Sequence, residues 1–264
     1  MDFKQINKFA EYCRATLGNR LGSTELGNEY RYSMLPLCVV DAVYSIGVNY
    51  VGTARTVRDF ATAVGLEGQA LYRANWDAYN SQAEQRQSIS DFVAIQEQWA
   101  MQPTGELKFR DAAKTIYRNS QLTSSKYKSQ VDEVDKLDSD CILKARAVYL
   151  FSMALKRFEV DYFQDIAQVV NDVEFEKAIL SLPGSKSGKS LRYFFMLAGE
   201  ERQVKPDRMI ERFVSAGLAF PVKNADELAQ LVISTADLLK QSHPRITPRL
   251  LDYIIWDYQR QKRL

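Results

Sequence analysis

Cysteine is scarce and histidine almost missing: the chain has three cysteines, at positions 13, 38 and 141, and one histidine, His243. The cysteines show neither metal-ligand spacing nor a paired pattern, and no four-cysteine group stands near the C-terminus. That excludes an iron–sulfur cluster and leaves the thiols as small buried hydrophobes of a reducing compartment; no metal is expected. Long apolar runs are missing too, none approaching the roughly 20 residues that span a bilayer. The opening segment MDFKQINKFAEYCRATLG is charged throughout, unlike a signal peptide. A soluble, cytoplasmic protein without a membrane partner is the expectation. Charge of one sign is not in excess either: the net charge is +2, so a polyanion would have to be met by a local basic patch. Strict period-two alternation between hairpin turns is absent, which argues against β-structure.

What the chain has instead is helical periodicity. Phe175, Ala178, Ile179 and Leu182 are spaced i, i+3, i+4, i+7. Leu143, Ala147, Leu150 and Ala154 make a second stripe, Leu228, Leu231, Val232, Leu238 and Leu239 a third, and Leu250, Leu251, Ile254, Ile255 and Tyr258 a fourth. The fold class is therefore all-α. With 264 residues there is room for one large domain or two small ones. Pro36 suits the first turn of a helix through LCVVDAVYSIGV, which Gly47 or Gly52 could end. Thr247 and Pro248 read as the cap and first residue of another. Between about 76 and 140 the chain turns polar and predicts short helices joined by exposed loops.

The stretch VKPDRMIERFV places Asp207 directly before a helical stripe of Met209, Ile210, Phe213 and Val214. An acid there is an N-cap by default; whether it also carries chemistry depends on its surroundings. Just upstream, FEKAILSLPGSKSGKSLRYFFMLAGEERQ reads as helix, tight Pro-Gly-Ser turn, helix. The amides that open the second helix lack intrahelical acceptors and suit a phosphate oxygen. Lys186, Lys189 and Arg192 make that turn electropositive. From Lys186 to Arg212 the chain carries seven Lys/Arg against four Asp/Glu.

LPGSKSGKSLRYFFMLAG followed by VKPDRMIERFV resembles the helix–hairpin–helix DNA glycosylase superfamily, the endonuclease III-like base-excision enzymes. SMLPLCVVDAVYSIGVNYVGTARTVRDF resembles the helix and turn that open that family's six-helix barrel, and ILKARAVYLFSMALKRF a helix before its hairpin. The resemblance implies a two-lobed fold: a barrel lobe at 30–190 with an unmatched insertion at about 76–140, and a second lobe made by 1–29 and 191–264. It implies a DNA N-glycosylase that flips a modified or damaged base out of double-stranded DNA and releases it. Asp207 matches the family's catalytic aspartate, which caps a helix and faces the sugar. Lys189 stands about where lyase-type members keep a Schiff-base lysine. Gly184, Ser185, Lys186, Ser187, Gly188, Ser190, Arg192, Lys205 and Arg208 would face DNA, and Asp41, Tyr44 and Tyr50 would line the base pocket. Trp76 and Trp99 are further aromatic residues that could stack on a base. The turn GSKSG is longer than the family's GxG, and Gly47 replaces a glutamine found in several members. Hydrolysis assisted by Asp207 is therefore expected over lyase chemistry, by a monomer that needs no cofactor beyond a monovalent cation at the hairpin. The setting would be base-excision repair or defence against modified foreign DNA, in the cytoplasm (at the nucleoid if the source is prokaryotic). The alternative is a DNA-binding module of the same fold that reads DNA without cutting it.

Overall fold

The computed structural model describes residues 2–48, 50–66, 68–73, 87–116 and 142–262, without the side chains of 69, 70 and 113–116. All regular elements among the described residues are helical. They group into two compact units, Met1–Tyr30 with Gly199–Leu264, and Arg31–Ala198. The division after 198 keeps the whole helix that follows the hairpin in the larger unit, where a cut at 190 would split it. No helix among the described residues is long and apolar enough to cross a membrane.

The smaller unit contains α1 (Phe3–Leu17), the short α2 (Arg20–Ser23), α10 (Arg208–Leu218), α11 (Ala225–Leu239) and α12 (Pro248–Gln261). Its helices start where local chemistry says they should. Asp2 and Gln5 form a capping box on α1, and Asn224 caps α11. Thr247 accepts the Leu250 amide with Pro248 at the first helical position, as its sequence predicts. The apolar faces close around a common core that includes Phe9, Phe213, Leu231, Val232, Leu251, Ile254 and Ile255. Gly217 permits α10 to approach α1 closely: a Cβ there would lie 2.6 Å from Tyr12 Cδ1 and 3.0 Å from Phe9 Cδ2. Because Phe9 is fully buried it has little room to yield. Gly217→Ala should therefore destabilise the fold by about 1–3 kcal/mol through overpacking. The check is a urea titration, in which the midpoint falls at unchanged slope.

The larger unit is organised on α3 (Leu35–Tyr44), every residue of which is buried. A helix buried on every side belongs in the middle of a unit, and α3 packs against α4 (Tyr50–Ala63), α7 (Lys144–Arg157) and α9 (Lys189–Ala198). Gly47, at φ +69°, follows the end of α3 in the left-handed region that favours glycine, whereas Gly52 lies inside α4. Of the polar region 76–140, the described part forms α5 (Ile89–Ala100), opened by a Ser88–Asp91 capping box, and α6 (Phe109–Ile116). Trp76 lies outside the described residues. The buried face of α7 differs from the predicted stripe. Val148, Phe151, Ser152 and Leu155 join Ala147 in the interior, while Leu150 and Ala154 are only half-buried. The rotation brings Lys144 inside: its ammonium donates to the carbonyl oxygens of Tyr44 and Ile46 at 2.8 and 2.7 Å. A cation at the end of α3 complements the helix dipole and takes carbonyls left without amide partners. Finally α8 (Val173–Leu180) runs into the hairpin that leads to α9.

Candidate functional site

Residues 203–206 belong to no regular element and lead into Asp207, which has extended backbone (φ −91°, ψ 179°) and opens α10. Its Oδ1 accepts the amides of Met209 at 2.7 Å and Ile210 at 3.2 Å, the bonding of an N-cap. One oxygen does all the capping. Oδ2 accepts no hydrogen bond from any described residue, and the side chain is half-buried. Capping and chemistry are thus not exclusive for this residue: the cap fixes the carboxylate and leaves half of it available.

A second carboxyl stands beside it. Asp252, on α12, is only 4% exposed, and its Oδ2 accepts the Lys205 amide at 2.9 Å. Burial, and then the negative charge of Asp207, hold the Asp252 carboxyl well above the usual carboxylate range; the Lys205 amide and ammonium oppose this in part. The same segment is fastened to α12 once more upstream. The buried Arg249 pairs with the Glu201 carboxylate, and the Arg249 amide donates to the Glu201 carbonyl at 3.1 Å. Sequence reasoning passed over Asp252, although LLDYII displays the same signal that singled out Asp41, an acid inside a buried apolar stripe.

The charge state of Asp252 has a stability consequence. A carboxyl whose folded pKa is raised binds its proton more readily in the folded than in the unfolded chain. Its contribution to stability is therefore lost as pH rises from the unfolded value toward the folded one. Asparagine keeps an acceptor for Lys205 without a charge to bury. Asp252→Asn should raise Tm by several degrees at neutral pH, since a tenfold difference in proton affinity between folded and unfolded chains corresponds to about 1.4 kcal/mol. The gain should vanish below about pH 4, where both chains carry a neutral side chain. Thermal melts at acidic and neutral pH check this.

The hairpin between α8 and α9 is stiffened from within. Gly184 and Gly188 take φ of +82° and +67°, and amides of Ser185, Gly188 and Arg192 donate to the carbonyls of Leu182, Ser185 and Gly188 at 2.9–3.0 Å. Ser185 and Ser190, expected to face DNA, are buried with their hydroxyls 3.4 Å apart, so they staple the turn. Gly184, Lys186 and Ser187 are exposed at the tip, and Gly188, Lys189 and Arg192 are half-buried behind it. Lys189 is the first residue of α9, where opening amides have no intrahelical acceptor.

Asp41 is fully enclosed in the same unit. Its Oδ2 accepts the Tyr32 hydroxyl at 2.8 Å and the Tyr50 hydroxyl at 3.3 Å, with the Tyr193 hydroxyl at 3.5 Å. Burial, followed by the Asp41 charge, pushes the Tyr32 hydroxyl well above its ordinary value. Tyr50, half-buried at the start of α4, is the more open of these phenols. The Tyr44 ring faces the Lys144 ammonium at 5.8 Å. Asp41 and Tyr50 are thus brought together, while Tyr44 is turned to a lysine that the sequence pattern did not flag. Asp207, Lys205 and Arg208 belong to the smaller unit; the hairpin, Lys189, Asp41, Tyr44 and Tyr50 belong to the larger.

The chain belongs to the family described as Domain of unknown function (DUF8548), whose profile matches residues 7–260. No curated protein and no solved structure shows significant similarity to it.

Proposed function

We propose that this family member is a DNA N-glycosylase that excises a modified or damaged base by Asp207-assisted hydrolysis. The observation that carries the reading is the division of labour within one carboxylate. Oδ1 of Asp207 is locked by two amides, and Oδ2 is left without a hydrogen bond from the described residues. As a base departs, positive charge develops on the deoxyribose. A carboxylate oxygen held rigidly near that carbon stabilises the charge and can orient the attacking water. Its rigidity matters, because a preorganised group needs no reorganisation as the charge appears. The target nucleotide must first leave the stack. Sequence-independent grip on the duplex would come from the hairpin tip, through backbone amides and the ammonium groups of Lys186 and Lys189. Lys205 and Arg208, on either side of Asp207, would add phosphate contacts. The partner is double-stranded DNA, the acting form a monomer, and the setting repair or defence against modified foreign DNA.

A second reading has an observation of its own. The capping bonds of Asp207 would be made equally well in a DNA-binding module that cuts nothing, since they stabilise α10 regardless of chemistry. One experiment separates the two. Duplexes carrying uracil, methylated purines, oxidised purines or hydroxymethylated pyrimidines are incubated with the protein, and free bases are detected by mass spectrometry. Release of one base class establishes the glycosylase and names its substrate. Tight, salt-sensitive binding to duplexes with no release from any of them moves the assignment to the binding module.

A further inference from the structure

We infer that Asp252 is the positioning residue of the Asp207 site: from α12 its carboxyl holds the Lys205 amide at 2.9 Å, and the Lys205 carbonyl holds the Asp207 amide at 2.7 Å. This rests on the glycosylase reading and deepens it. The chain of bonds has a direction. α12 is anchored in the core through Leu251, Ile254 and Ile255, on either side of Asp252, so the carboxyl is presented from a rigid helix. The segment it holds belongs to no helix or strand, so no helical or ladder bonds fix it. Pro206 is buried between the two anchored residues and has no amide to contribute. The cap on Met209 and Ile210 fixes Asp207 from its C-terminal side, and Asp252 fixes it from the N-terminal side through Lys205. Arg249 and Glu201 fasten the upstream end of the same segment to the same helix. Without Asp252 the Lys205–Asp207 link keeps its internal bond and loses its tie to α12, and the carboxylate of Asp207 loses its set position.

A displacement on the order of 1 Å at a reacting group lowers rate about 100-fold while binding from remote contacts persists. The test compares wild type, Asp252→Ala and Asp252→Asn by three readouts. These are single-turnover base release from the four duplex classes above, affinity for a duplex with a tetrahydrofuran abasic analogue, and amide hydrogen exchange across residues 205–210. The alanine variant should release base roughly 30- to 100-fold more slowly, bind the abasic duplex as wild type does, and exchange the Lys205 amide faster. The asparagine variant, which still offers an acceptor to that amide, should recover most of the rate and the protection. Release at the wild-type rate by Asp252→Ala overturns the inference. So does a parallel loss of rate and duplex binding that asparagine fails to rescue, because that marks a purely structural residue. A wild type that releases nothing from any duplex overturns the glycosylase reading itself, and the positioning role with it.

Discussion

Asp207→Asn should lower base release by about 1,000-fold while leaving duplex affinity and Tm close to wild type, the order of effect expected when a preorganised electrostatic group is removed. The substitution is informative because of how this aspartate is held. Only Oδ1 is engaged, accepting Met209 and Ile210 amides. Asparagine is about as good an N-cap as aspartate and offers one carbonyl oxygen for the same pair of bonds. The start of α10 is therefore preserved, and what disappears is the negative charge at the position of Oδ2. Asp207→Ala removes both functions and should additionally lose about 1 kcal/mol of stability. A serine variant, which caps without charge, should behave like asparagine. The measurement is single-turnover base release beside a thermal melt for each variant. If Asp207→Asn releases base at the wild-type rate, the carboxylate is a cap and nothing more.

The parts of this molecule that were legible in its sequence are those decided locally. Thr247–Pro248 and Asp207 announce helix starts because a cap bonds amides two or three residues away. The periodic stripes of α10, α11 and α12 read largely correctly, with Met209, Leu238 and Tyr258 only half-buried, because a core face needs only apolar residues at helical spacing. Lys144 was not legible, since a buried ammonium looks like an error until its acceptors appear, and those are carbonyls about a hundred residues upstream. It also explains why the face of α7 was misjudged: a pattern of apolar residues cannot place a lysine that is satisfied by another helix's end. Asp41 and Asp252 form an instructive pair. Both are acids inside apolar helices, a signal that says a partner exists without saying which. For Asp41 the partners are phenols from three segments, one of them 152 residues away. For Asp252 the partner is a backbone amide 47 residues upstream, which no side-chain pattern can reveal.

The hairpin makes the other large prediction. Reversing both tip charges, Lys186→Glu with Lys189→Glu, should weaken binding to an undamaged duplex by about 10- to 100-fold at low salt and reduce the slope of log affinity against log salt by about 2, at roughly 0.9 per phosphate contact. The double variant should converge with wild type as salt rises, because what is removed is counterion release and not a base contact. The fold should tolerate the change. Lys186 is exposed, Lys189 half-buried, and the turn is held by backbone bonds and the buried Ser185–Ser190 pair. The control is Lys177→Glu on α8, an exposed lysine paired with Glu174 at 2.8 Å and outside the turn. It changes net charge in the same direction by half as much, so twice its effect on log affinity measures how much of the tip variant's loss is the charge of the whole molecule. That share should be small, since exposed charges more than about 10 Å from the DNA are largely screened at ordinary ionic strength. A loss in log affinity from Lys177→Glu of half that of the tip variant or more would mean that the hairpin has no special claim on phosphate. Salt-insensitive binding by wild type would go further and remove DNA as the partner, since no phosphate-gripping surface escapes that dependence.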